Sequence, residues 1–205
     1  MRRILANHVA TGIKRRAGKL LLPINYAIGV DGGMDFVIKA TQLSIEKYIQ
    51  VPQAEGTSPT RAAIFLDLKN MFNNILRERL MHIIAERFPE LINIANLFYA
   101  SPGKVHYRWD DGSWRTISMM EGVTQGCPLS CLFAALVLDS VLRPIDTHLR
   151  LRAQARLLRG DVGDDGYGSI THILAFVDDA STVIPHEDLQ AFFDKFMELA
   201  PVEGC

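Results

Sequence analysis

The sequence predicts an α+β domain, an antiparallel sheet with helices on one face. Three observations point there. Short apolar runs with strand character are few: RAAIFLD (61–67), SITHILAF (169–176) and ASTVIP (180–185). Longer stretches with apolar residues every third or fourth position lie between and after them. The order is strand, helices, hairpin, helix, strand hairpin, helix, which segregates helices from strands instead of alternating them one for one.

The elements follow in chain order. Gly29, Gly32 and Gly33 suit a turn, after which a helix carries Phe36, Val37, Ala40 and Leu43 inward, with Ile45 and Tyr48 on the same side. Residues 52–60 (PQAEGTSPT) read as a linker. RAAIFLD is a short buried strand ending on Asp67. Residues 70–88 have helical spacing at Phe72, Ile75, Leu76, Leu80, Ile83 and Ile84, and a second helix opens at Pro89. KVHYRWDDGSWRTISM is a hairpin closed by an Asp-Asp-Gly turn, with Trp109 and Trp114 packing as a cross-strand pair and Met119 and Met120 packing at its base. GVTQGCPLS is a tight loop entering an apolar helix over 129–142, and Pro144 kinks or ends that helix before a basic continuation. A glycine-rich loop follows at 161–169, and then the strand hairpin. The last helix shows Leu189, Phe192, Phe193 and Phe196 on one face.

Composition narrows the class. With 205 residues, 48% hydrophobic and 22% charged, the chain is an ordinary globular one. No run approaches the ~18 consecutive apolar residues of a membrane span, and the basic N-terminus lacks a signal peptide's apolar core, so no membrane partner is expected. Three cysteines (Cys127, Cys131, Cys205) match no zinc spacing and suggest an intracellular, reducing compartment, nuclear or cytoplasmic. Six scattered histidines show no ligand spacing. A net charge of −1 gives no overall drive toward nucleic acid. Residues 1–22 nevertheless carry Arg2, Arg3, Lys14, Arg15, Arg16 and Lys19 and no acid, equally a solvated helix face or a phosphate-facing surface.

The chemistry concentrates in three stretches. In FVDDAS, Asp178 and Asp179 are followed by alanine, whereas Asp110–Asp111 and Asp164–Asp165 run into glycine and read as solvated turns. The first pair is therefore expected to be buried between strands, and a buried carboxylate pair needs a cation. Asp67 ends a strand before a helix, which suits an N-cap. Alongside Asp178 on a neighbouring strand it also suits a site for hard divalent cations, where two ions stabilise both oxygens of a phosphoryl displacement. In EGVTQGCPLS, Gln125 is a double donor and acceptor beside Gly126, where backbone can approach a ligand, and the helix opening at Pro128 offers its amide end to phosphate; a plain tight turn explains Gly126 and Pro128 equally well.

FLDLKNMFN, EGVTQGCPLS and FVDDAS, in this order and at these intervals, resemble the first, second and third palm motifs of the reverse transcriptase family. GVDGGMDFVIKA resembles the segment before the palm in non-LTR retrotransposon enzymes. The resemblance runs from about Pro23 to the end. It implies a polymerase palm over 61–205 with a fingers insertion at about 89–122, partial fingers over 1–60, and no thumb, so that the chain alone would be an incomplete, inactive polymerase. It also implies an RNA-directed DNA polymerase of a retroelement, adding deoxynucleoside triphosphates to a primer strand on an RNA template with two Mg²⁺ ions. Asp67, Asp178 and Asp179 would be its catalytic carboxylates, and the Leu68 carbonyl would complete the metal site. Phe72 would lie beneath the nucleotide sugar, and Gln125 and Gly126 would contact nucleotide and template. Phe176 and Val177 stand where Tyr-x is commoner, Met71 and Cys127 where alanine and aspartate are frequent. Two other readings compete. An RNA-dependent RNA polymerase shares the palm but usually has a polar residue where this chain has Phe72. A decayed nucleic-acid-binding remnant has no need of Asp67, Asp178 and Gln125.

Overall fold

The computed structural model describes residues 2–49, 61–160 and 172–203. The linker at 52–60 and the loop carrying Asp164 and Asp165 lie outside them. In chain order the elements are α1 (Arg2–Leu21), α2 (Gly33–Tyr48), β1 (Arg61–Asp67), α3 (Met71–Asn74), α4 (Arg77–Arg87), a 3₁₀ turn (Pro89–Leu91) leading into α5 (Ile92–Tyr99), the hairpin β2 (Gly103–Arg108) and β3 (Trp114–Met119), α6 (Pro128–Leu158), β4 (Ile173–Phe176), β5 (Asp179–Pro185), and a second 3₁₀ turn (His186–Asp188) leading into α7 (Leu189–Glu203).

The core forms around α6. Its residues from Leu129 to Leu142 are apolar on nearly every side, so the helix is buried all round instead of along one stripe. By length and composition it could cross a membrane, but 72% of its most apolar stretch is buried inside the protein. The main sheet has the order β1-β5-β4, all antiparallel. Alternation sends Ile64, Ile173, Ala175, Ala180 and Ile184 into the core with α6. The opposite face carries Phe65, Asp67, Leu174, Phe176, Asp179 and Ser181. There α2 lies across it, with a Thr41–Ser181 hydroxyl bond of 2.7 Å. The free edge of β4 is covered by residues 24–26: Tyr26 N–H donates to the Ala175 carbonyl (2.9 Å) and Ala175 N–H donates to that of Ile24 (2.7 Å).

Several elements depart from the sequence expectations, each for a physical reason. The single helix over 70–88 is two, broken at Ile75–Leu76, because the carbonyls of Phe72 and Ile75 accept Val123 N–H (2.6 Å) and Gly122 N–H (2.9 Å) from the following loop. Pro144 does not end the apolar helix. Removing its N–H costs one rung, but ion pairs hold both halves. Buried Asp139 takes Arg143 (2.7 Å) and Arg87 (2.6 Å), and Arg143 also donates to the Leu20 and Leu21 carbonyls at the end of α1. Farther along, buried Asp188 takes Arg152 (2.6 Å) and Arg156 (2.7 Å), tying the basic continuation to α7.

On α2 the inward positions are Val37, Ala40, Thr41, Ser44 and Ile45, while Phe36 and Leu43 face solvent, Phe36 stacking on Tyr26 at 4.6 Å. On α7 Phe192 is fully buried but Phe193 is exposed. The tryptophans do not pair. Trp109 packs edge-on to Tyr107 and under Arg115, while Trp114 lies on the other face of the ribbon, 73% exposed. Met120 is also exposed. Half of the basic N-terminal segment is used structurally: Arg16 pairs with Glu90 and covers Phe88, Arg2 lies over Phe98, and Lys14 meets Asp31.

Candidate active site

FVDDAS is a tight hairpin. Phe176 and Asp179 are partners across β4 and β5, leaving Val177 and Asp178 as the two turn residues. Val177 has φ 58°, a left-handed conformation that a β-branched side chain adopts only under constraint. The expectation of a buried pair is therefore corrected: Asp178 is half-buried and Asp179 exposed, because a two-residue turn projects beyond the sheet. Among the described residues only one other non-glycine has positive φ, Asn70 at 57°. It lies three residues after Asp67, so both strained backbones flank the carboxylates.

Register brings the acids together. Asp67 and Asp179 are the final partners of the β1–β5 ladder. Their shared sheet end also adjoins the turn that carries Asp178. Asp67 is exposed and makes no capping bond to α3, so the N-cap reading fails. Burial and then the charges of Asp178 and Asp67 push the Asp179 carboxyl above its usual range. Burial and the Asp178 charge likewise raise the Cys131 thiol. Among the described residues no Lys, Arg or His pairs with Asp67, Asp178 or Asp179.

The donors have the chemistry a hard divalent cation takes: carboxylates unpaired among the described residues and the Leu68 carbonyl, which accepts a long 3.3 Å bond from Met71 N–H. No three His, Cys, Asp or Glu side chains among the described residues stand close enough to form a ligand set as they lie. It is the donor chemistry, not the present spacing of the side chains, that suits such an ion.

The second half of the site is the loop 122–127. Gly122 has φ 73°, and a Cβ there would meet the Asn73 carbonyl oxygen at 2.5 Å. This closeness lets Gly122 and Val123 bond into α3, so the loop is fixed directly to the turn that carries Phe72. Phe72 is half-buried. Gln125 and Gly126 stand exposed beyond, and a Cβ on Gly126 (φ 77°) would enter open space. Among the described residues, the expected close backbone approach at Gly126 has no protein partner.

Two residues that the sequence reading passed over hold this loop. Arg77 donates to the carbonyls of Gly122 (2.9 Å) and Glu121 (3.1 Å) and lies over the Tyr99 ring. The Tyr99 hydroxyl accepts from Thr124 N–H and bonds Ser130. Neither carries a local signal, since Arg77 reads as a solvated helix residue and Tyr99 as core. Beside the carboxylates, an apolar groove of about 450 Å³ runs between α2 (Val37, Ile38, Ile45) and the sheet (Phe65, Leu174, Phe176).

A family model gives the family, and solved structures give the fold. The family model for reverse transcriptase (RNA-dependent DNA polymerase) matches residues 35–202. Telomerase from Candida tropicalis, in complex with a TWJ fragment of telomeric RNA, superposes with a TM-score of 0.61 at 14% identity, covering 97% of this chain and 31% of that one. Apo telomerase from the same organism, truncated from the C-terminal domain, gives 0.61 at 13%, covering 98% and 38%. Telomerase from Candida albicans, with the same kind of RNA fragment, gives 0.56 at 12%, covering 99% and 33%. At such identities the likeness is one of fold. The chain spans about a third of these telomerase chains. No curated protein matches it.

Proposed function

This chain belongs to the reverse transcriptase family, and we propose that it forms the palm and part of the fingers of an RNA-directed DNA polymerase from a retroelement of the non-LTR type. The observation that carries the reading is the meeting of Asp67, at the end of β1, with Asp179 and the Asp178 turn.

In this proposal Asp67, Asp178, Asp179 and the Leu68 carbonyl hold two Mg²⁺ ions. The ions, when bound, neutralise charge on the triphosphate and favour the attacking primer oxygen. Asp67 and Asp178 orient the reacting groups, one from the end of β1 and the other from the β4–β5 turn. Phe72 forms the floor beneath the sugar and excludes a 2′-hydroxyl by bulk. Gln125 and Gly126 contact nucleotide and template, and the Val123–Phe72 bond keeps these two walls in register. The partners would be an RNA template, a primer strand and deoxynucleoside triphosphates.

The test is primer extension on an RNA template by the full native polypeptide that carries these residues. Mg²⁺-dependent incorporation of deoxynucleotides, lost in Asp178→Asn, is expected. Extension with ribonucleotides alone would assign the palm to RNA synthesis. Extension that persists in Asp178→Asn would remove Asp178 from the site.

A further inference from the structure

The turn that carries Asp178 is held from 152 residues away. Asn25 is fully buried, and its side-chain amide donates to the Val177 carbonyl at 3.1 Å. Its orientation is fixed from the other end, because Asn25 Oδ1 accepts Ala27 N–H at 3.0 Å. The backbone on either side is pinned too, since Ile24 and Tyr26 bond both polar groups of Ala175 on β4. Gly33 then lets the chain turn back so tightly that a Cβ there would meet the Tyr26 carbonyl oxygen at 2.0 Å. A left-handed valine is sustained only where its surroundings over-determine it. Here the surroundings are the Phe176–Asp179 end of the β4–β5 ladder, the core against which Val177 packs, the edge bridge at Ala175 and, bonding the Val177 carbonyl itself, the Asn25 carboxamide.

We propose that Asn25 is a positioning residue of the active site: it holds Val177 in its left-handed turn and thereby fixes where Asp178 stands relative to the ladder pair Asp67 and Asp179. This rests on the assignment of those carboxylates to metal binding. Nothing local in LPIN marks the role, because the partner lies across the whole chain.

The experiment uses the 205-residue chain and two readouts. The first is the strong NOE between the Val177 amide proton and its own α-proton, which reports positive φ. The second is Mn²⁺ affinity, with paramagnetic broadening at Asp67 and Asp178. Asn25→Ala removes both side-chain bonds. Asn25→Asp keeps the acceptor for Ala27 and loses the donor to Val177. Both variants should lose the NOE and bind Mn²⁺ about 10-fold more weakly, the scale of an outer partner that orients ligands. Val177→Gly, where positive φ carries no strain, should restore Mn²⁺ affinity in the Asn25→Ala background. It also supplies a folded comparison if Asn25→Ala alone unfolds. An Asn25→Asp variant that behaves like the parent, or Asn25→Ala and Val177→Gly effects that simply add, would overturn the proposal and leave Asn25 as a cap for Ala27. Absence of Mn²⁺ broadening in the parent counts against the metal assignment alone, because the NOE still decides whether Asn25 holds the turn.

Discussion

Asp67 and Asp179 stand opposite each other as the last residue pair of the β1–β5 ladder, two like charges on neighbouring strands with no cation between them among the described residues. Directly opposed like charges destabilise a sheet. Burial, and then the charges of Asp178 and Asp67, raise the Asp179 carboxyl above its usual range. Asp67→Asn or Asp179→Asn should therefore raise Tm in EDTA by about 2 °C. The same variants should lose the Tm increase that Mg²⁺ gives the parent. Asp110→Asn, in the exposed hairpin turn, should do neither. Thermal melts with and without Mg²⁺ check this, and equal behaviour of all three variants would remove the distinction between site and turn carboxylates.

Phe72 is fixed by its backbone, whose carbonyl holds Val123, so truncating the ring should leave the loop in place. Phe72→Ala in the full polypeptide is expected to raise ribonucleotide use relative to deoxynucleotide use by about 10-fold or more, the scale on which a filled pocket rejects extra atoms. Competition between the two nucleotides on one primed template gives the ratio. An unchanged ratio with a lower Tm would make Phe72 a core residue only.

The α+β class, the antiparallel strands and the three motif stretches were legible because each is written locally, in apolar spacing and turn residues. So was the Asp-Asp-Gly turn at 110–112. What escaped depends on partners far along the chain. The break at Ile75 comes from carbonyls that bond the 122–123 loop, and the passage through Pro144 comes from Arg87, Arg143 and the Asp188 pairs. Burial of FVDDAS was misjudged for a local reason. With no glycine after the acids the stretch reads as continuous strand, yet the turn is made by Val177 at a φ that its own side chain resists. Asn25, which bonds that residue, cannot be found from sequence spacing.

Buried Asp188, in the turn leading into α7, ties α6 to that turn, since Arg152 and Arg156 of α6 both reach it. Burial raises its pKa, but the hydrogen bonds from Arg156 and Arg152 and their charges outweigh this and hold the carboxyl below its usual range. A depressed folded-state pKa means that the unfolded chain binds the proton more readily. The stabilisation is therefore complete above the unfolded value of about 3.9 and is lost as pH falls through the folded one. Asp188→Ala should cost about 1.5–3 kcal/mol at pH 7, because charge-assisted hydrogen bonds are lost from half-exposed Arg152 and from Arg156, which keeps its pair with Glu187. Asp188→Asn should flatten the loss of stability between neutral and acid pH. Urea midpoints at several pH values check both, and an acid slope unchanged in Asp188→Asn would place the sensitivity elsewhere.

Gly122 and Gly126 share a loop and nearly the same φ, 73° and 77°, yet they should respond very differently to a methyl group. At Gly126 the added Cβ meets nothing within 4 Å, so alanine there costs only the left-handed backbone, about 1–2 kcal/mol. At Gly122 the same backbone cost applies, and the Cβ would also stand 2.5 Å from the Asn73 carbonyl oxygen and 2.7 Å from the Asn73 carbonyl carbon. These are backbone atoms of α3 and cannot rotate away. The loop must lift, which breaks the Gly122–Ile75 and Val123–Phe72 bonds and pulls the Arg77 contacts at Gly122 and Glu121 with it. Gly122→Ala is therefore expected to cost several kcal/mol, since two backbone bonds of about 1 kcal/mol each fail on top of the strain. Urea denaturation of the two variants side by side measures the difference. If both lose stability equally, the junction between the Phe72 turn and the loop is soft, and the walls on either side of the carboxylates are not held in register by this contact.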